Sequence, residues 1–160
     1  VQVAKSEVIL DLLDEIEKAG LSTDAVNIEL TESVLLENNI NTQHFLKELK
    51  RMKINLALDD FGTGYSNFHY LSELNPEIIK IDRTFTANAV ADEKEYYLLK
   101  QFCEMIHRLG LKICIEGVEN EEEWTRIKRL KPEYGQGFYW GKPCEYVAFV
   151  RQFVDKAQKK

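Results

Sequence analysis

Ile54-Asn55-Leu56-Ala57-Leu58-Asp59-Asp60-Phe61-Gly62-Thr63-Gly64-Tyr65-Ser66 is the stretch whose reading decides the fold. The run from Ile54 to Leu58 is short and largely apolar, as expected of a strand covered on both faces in a parallel sheet. It runs into two adjacent acids and then a loop. There Gly62 and Gly64 let the backbone turn sharply and approach a ligand or partner closely. An ordinary strand-to-helix turn uses the same residue types, so the loop alone decides nothing.

Working outward, the same pattern recurs. Val26–Leu30 lies upstream; Ile78–Asp82, Lys112–Glu116 and a short run near Tyr134–Tyr139 lie downstream. Between them fall helical patterns. One covers Ser6–Ala19, stopped by Gly20, with Leu12, Leu13 and Ile16 on one face; others cover Thr42–Met52, Asn67–Leu74 and Glu93–Leu109. Asn120 with Glu123 reads as a capping pair opening a further helix, and a last helix starts near Glu145. Strand-then-helix repetition implies parallel strands joined by crossover helices. An open doubly wound sheet and a (β/α)8 TIM-type barrel both satisfy it, and the absence of a dinucleotide-binding glycine fingerprint tilts the choice to the barrel.

Composition narrows the class. The 160 residues are 44% hydrophobic and 30% charged, which excludes a disordered tail. No apolar run approaches the ~20 residues of a membrane span, and the N-terminus has no signal-peptide pattern. Lys plus Arg minus Asp plus Glu gives 21 − 27 = −6, which argues against electrostatic binding to a DNA or RNA polymer. Cys103, Cys114 and Cys144 form no close pair, so a reducing, cytoplasmic setting is expected.

Four strands end in acids or carry a charge within an apolar run: Glu29 with Glu32, Asp59 with Asp60, Lys80 with Asp82, and Glu116 with Glu119. Acids at strand ends also cap helices. In a barrel, however, all strand C-termini open on one face, so four successive strands would aim these groups at a common point. Clustered carboxylates repel unless protonated or bridged by cations. An all-oxygen set suits Mg²⁺ or Mn²⁺ rather than zinc, and with a lysine and a spare carboxylate it suits metal-assisted hydrolysis of a phosphate ester. His44, His69 and His107 are scattered, and the cysteines lack zinc spacing. Gln136, between Gly135 and Gly137, offers a hydrogen bond to a base or phosphate. Tyr139 and Trp140 read as stacking or packing aromatics.

Five ordered motifs carry a resemblance: Asn27–Ser33, Leu58–Ser66, Ile79–Arg83, Glu116–Glu119 and Gln136–Phe138. Together they resemble the EAL-domain family of bacterial cyclic di-GMP phosphodiesterases. The resemblance implies a (β/α)8-type barrel that hydrolyses cyclic di-GMP to the linear dinucleotide at a two-metal site holding Mg²⁺ or Mn²⁺. By matching position it implies Glu29 and Asp59 as metal ligands, with Asp60 serving the second metal. Lys80 is implied to hold the attacking water and phosphate region, and Glu116 to be the general base or the carboxylate orienting that water. Glu119 and Asp82 are supporting acids, and Gln136 belongs to the substrate network. Glu32 is implied to pin the loop that contains Gly62 and Gly64, a loop near the family's dimer interface.

The Glu-Ala-Leu signature itself is absent from this sequence, and the family's asparagine ligand has no secure counterpart; Gln2 stands too close to the first helix. A complete barrel needs about 250 residues. Residues 1–160 are therefore expected to form the C-terminal two-thirds of an EAL domain, with five to six strands, open edges that favour homo-oligomers, and no turnover as an isolated piece. The parent is expected to be cytoplasmic or anchored through another domain, and open to fusion with a sensor or cyclase domain. The competing reading is a degenerate EAL domain that binds cyclic di-GMP or a protein without turnover.

Overall fold

A computed structural model describes residues 6–31, 40–62, 71 and 74–154. Helix α1 (Ser6–Lys18) leads to β1 (Asn27–Thr31), α2 (Ile40–Arg51) and β2 (Asn55–Phe61). Then come β3 (Ile78–Ile81), α3 (Arg83–Ala91), α4 (Glu93–Arg108), β4 (Lys112–Ile115), α5 (Glu121–Ile127), β5 (Tyr134–Gly135) and α6 (Tyr146–Phe149). The helix read at Asn67–Leu74 falls largely outside the described residues.

All pairings are parallel, and the strands lie in the order β1-β2-β3-β4-β5. A doubly wound sheet reverses its strand order at a switch point. Here every strand lies beside its successor, as the staves of a (β/α)8 barrel do.

Register separates the two faces. Leu30, Leu58, Ile79 and Ile113 are successive Cα partners across four strands and belong to one buried hydrophobic cluster. Residues one position away project to the opposite face, because side chains alternate along a strand. That face carries Glu29, Ala57, Asp59, Lys80 and Cys114. Ala57 and Cys114 are buried yet stand outside the hydrophobic cluster, as expected if they point away from the helices. The helices cover the first face through Phe45 and Leu49 on α2, and through Leu99, Cys103 and Ile106 on α4. The Phe61 ring stacks on Phe102 with centroids 5.6 Å apart.

Three local readings change. Strand β2 continues through Asp59-Asp60-Phe61 instead of ending at Leu58. An additional helix, α3, occupies Arg83–Ala91, with Asp82 as its N-cap. β5 is two residues long rather than reaching Tyr139. The reason is a close passage: a Cβ on Gly137 would collide with the backbone carbonyl of Val118, so the chain leaves the sheet beneath that peptide. Trp140 then packs edge-on against Trp124 and Tyr139, with centroids 5.0 and 5.2 Å away.

Candidate functional site

The centre of the site is Lys80, the lone charge in the apolar strand β3. Its Nζ lies 2.9 Å from Glu29 Oε2 on β1, 2.9 Å from Asp59 Oδ1 on β2 and 2.8 Å from Glu116 Oε1 just beyond β4. One ammonium thus ties four neighbouring strands together at their C-terminal ends. The Lys80 side chain is 7% exposed, against 15% for Glu116, 24% for Asp59 and 51% for Glu29. The carboxylates rim an opening that deepens onto the lysine.

Burial pulls the Lys80 ammonium towards its neutral form, but Glu116, Glu29 and Asp59 more than reverse this, and it titrates above the ordinary lysine range. Glu116 moves the other way for a carboxylate. Burial pushes its pKa up, and Lys80 only partly pulls it back. The Cys114 thiol, cross-strand from Lys80, is pushed up to about 11, first by burial and then by Glu116. It remains a protonated, inert packing group at neutral pH.

Asp59 and Asp60 are adjacent, so in a regular strand they would face opposite sides of the sheet. A register irregularity prevents that. Leu58 pairs with Ile79 and Phe61 with Ile81, so β2 contains one more residue than β3 over this span. Asp60 takes a left-handed backbone angle, φ 53°, which aspartate tolerates better than most residues. The bulge lets both carboxylates reach the same point: ligand oxygens of Asp59, Asp60 and Glu116 all lie within 4.8 Å of one another. Gly62 follows at φ 96°, where a Cβ would stand 2.8 Å from the Phe85 ring.

The donor chemistry fits a hard divalent cation. Asp59 Oδ1 is buried and, although close to Lys80 Nζ, accepts no hydrogen bond of good geometry. Such an unsatisfied buried oxygen is a donor that a cation would satisfy. Three carboxylates with no nitrogen or sulfur donor match the preference of small divalent ions for oxygen.

Other residues singled out by sequence take different places. Asp82 accepts a 2.8 Å hydrogen bond from the Thr84 amide as the cap of α3. Thr84, through side chain and backbone, holds its carboxyl below the usual range. Glu119 pairs with Arg83 at 2.6 Å, outside the acid cluster. The backbone of Gln136 extends the β4–β5 pairing: its amide donates to Ile115 O at 2.8 Å, and its carbonyl accepts from Val118 N at 3.2 Å, while the residue itself is exposed. Glu32 and Gly64 lie outside the described residues. Sequence reading missed two features: the Leu58–Phe61 bulge that unites the aspartates, and the Arg83–Glu119 pair. The doublet Asp59-Asp60 marked the place of both acids but not the bulge that unites them.

Fold and site together define a parallel α/β barrel protein with an acid–lysine centre at its strand C-termini. The chain belongs to the EAL domain family, whose model matches residues 2–143. The cyclic di-GMP phosphodiesterase PdeB of Shewanella oneidensis is 29% identical over 151 residues, 94% of this chain and 17% of that protein. The EAL domain of Mycobacterium smegmatis DcpA superposes with a TM-score of 0.86 at 28% identity, covering 97% of this chain and 70% of that one. Klebsiella pneumoniae BlrP1, in a complex with manganese and cyclic di-GMP, superposes with a TM-score of 0.81 at 30% identity, covering 89% of this chain and 36% of that one. The 160 residues thus account for part of an EAL barrel and a minor share of the full-length relative.

Proposed function

We propose that the protein containing this chain hydrolyses cyclic di-GMP to the linear dinucleotide, with Mg²⁺ or Mn²⁺ bound by Glu29, Asp59 and Asp60 and with Glu116 as the general base. The observation that carries this reading is Lys80, whose ammonium meets carboxylates from three other strands at the end of the sheet where barrel enzymes place their chemistry. The manganese and cyclic di-GMP complex of BlrP1 supports the metal and the substrate.

When bound, divalent cations polarise a phosphoryl oxygen and acidify a water. The chain's own residues do the rest. Glu116, whose pKa burial raises, is a stronger base than an ordinary glutamate and takes a proton from a water. Lys80 stays charged throughout and supplies fixed positive potential where the phosphate's negative charge grows. Water adds to phosphorus, one ester P–O bond breaks, and the leaving oxygen acquires the proton. Gln136 borders the opening as a polar contact for substrate. Glu119, held by Arg83, and Asp82, capping α3, position the segments that follow β4 and β3. Gly62 turns the chain at the end of β2.

In this reading residues 1–160 are the C-terminal two-thirds of the EAL domain, in a cytoplasmic setting that keeps the three cysteines reduced. Taken as an isolated piece, the chain would expose sheet edges at β1 and β5 that favour homo-oligomers, and the length of PdeB is consistent with a companion sensor or cyclase domain. The test is a hydrolysis assay of the full-length protein in Mn²⁺, with linear dinucleotide as the expected product. Tight cyclic di-GMP binding without product would assign the chain to a degenerate, non-catalytic EAL domain instead.

A further inference from the structure

The N-terminal end of the same sheet opens into a cavity of about 650 Å³ between the C-terminal half of α2 and the segment that precedes β3. Its volume falls in the range of small-ligand pockets. The apolar wall includes Leu46, Leu49, Ile54 and Leu56, three of them buried. At the mouth stand Lys47, Lys50 and Lys53, all exposed. The acid on this lining, Glu77, is already paired with Lys112 at 2.6 Å. Among the described residues, none of the three lysines makes an ion pair.

The ordinary role for lysines here would be to neutralise the C-terminal carbonyls of α2. Backbone amides already do so: Met52 N donates to Glu48 O, Ile54 N to Leu49 O and Lys53 N to Lys50 O. Lys53 also occupies the left-handed position that ends the helix, φ 57°, where glycine is the favoured residue. A second non-glycine residue at positive φ, Asn75, lines the same cavity. Lys53 at a glycine-favouring position and three lysines without an ion pair among the described residues thus gather around one apolar hollow in a chain of net charge −6.

We propose that this cavity binds a small organic phosphomonoester, with the dianion at Lys47, Lys50 and Lys53 and the apolar body against Leu46, Leu49 and Ile54. The site is distinct from the acid–lysine centre. Asn55 and Asp59 lie four residues apart on β2, about 13 Å along the strand. Three ammoniums favour a dianion over a monoanion, and the hollow favours an ester over free phosphate.

Phenyl phosphate titrated into the isotopically labelled complete EAL domain that contains this chain, without metal or cyclic di-GMP, tests this. Saturable amide shifts are expected at Gln43, Lys47, Lys50, Lys53 and Asn55, with affinity at least about tenfold above that of inorganic phosphate or benzoate. Lys53→Gly separates binding from folding. It keeps the backbone angle and relieves strain, so the melting temperature should rise while the affinity falls severalfold. Lys47→Gln with Lys50→Gln should weaken binding at least tenfold. Shifts scattered over Lys94, Lys128 and Lys131, equal affinity for benzoate or inorganic phosphate, or unchanged affinity in Lys53→Gly would each overturn the proposal.

Discussion

The two ends of one sheet follow opposite electrostatic plans. At the C-terminal end, acids from three strands crowd around a single buried cation, and one ammonium against three carboxylates leaves negative charge for a divalent cation to offset. At the N-terminal end, lysines stand around a hollow in open water, each free of an ion pair among the described residues. Buried charges must be paired or neutralised, whereas solvated ones need no partner. The acid end therefore works as one coupled unit, in which removing any member disturbs the others. The basic end is a set of solvated groups whose individual loss costs the fold little, even where they share one ligand.

The largest break in that contrast should come from Asp59→Asn. Turnover of cyclic di-GMP by the full-length protein should fall by at least about 1,000-fold, because a neutral amide weakens cation binding and transition-state stabilisation together. Lys112→Gln, which removes an exposed ion pair at the other end, should leave turnover within about twofold. Steady-state kinetics at saturating Mn²⁺ compares the two.

Lys80→Met tests the coupling itself. It leaves Glu29, Asp59 and Glu116 facing one another without their cation, at a cost of about 3 kcal/mol in the metal-free chain. Because the folded pKa of Lys80 is raised, its contribution is fully present at neutral pH and is lost only as pH rises through that raised value. Thermal melts should show a drop that Mn²⁺ reverses in the variant more than in the wild type. A lysine that merely reaches for the barrel mouth would give no such rescue.

Gly62→Ala should destabilise by about 2 kcal/mol, since a Cβ at positive φ meets the Phe85 ring next to the Asp59-Asp60 bulge. Denaturant unfolding measures it. A smaller, graded effect is expected from pH. Proton abstraction from water needs Glu116 as the anion, and its pKa is raised. Turnover at saturating Mn²⁺ should hold above that raised value and fall by about tenfold per pH unit below it, starting at a higher pH than an ordinary glutamate would set. Smallest of all is Glu119→Gln. Its partner Arg83 is solvent-exposed, so the loss should stay within about 1 kcal/mol in a melt.

Much of this contrast was legible in the sequence. The apolar runs at Ile54–Leu58, Ile78–Ile81 and Lys112–Ile115 gave the parallel sheet, and their acidic ends gave the location of the site. The capping pair was legible in full: Asn120 Oδ1 accepts from Glu123 N at 3.0 Å, and Glu123 answers through Asn120 Nδ2 at 2.8 Å. The bulge was not legible, because one extra residue in a strand is a property of its pairing with β3 and leaves no mark in periodicity. Asp82 read as a site acid because an acid after an apolar strand has the same signature whether it binds a ligand or caps the next helix. The basic cavity escaped notice for a related reason. Lys47, Lys50 and Lys53 at a helix end look like ordinary solvated lysines until the hollow beside them is seen.

The most direct test of the central claim, that the acidic end of the sheet holds the divalent metal, is paramagnetic line broadening by substoichiometric Mn²⁺ in the labelled complete EAL domain that contains this chain. Amide signals of Asp59, Asp60, Lys80 and Glu116 should broaden first, while Lys47, Asn55 and Glu77 at the opposite end stay sharp. Broadening that begins instead at the exposed acids Glu121 and Glu122, or that spreads evenly over the surface, would contradict the account.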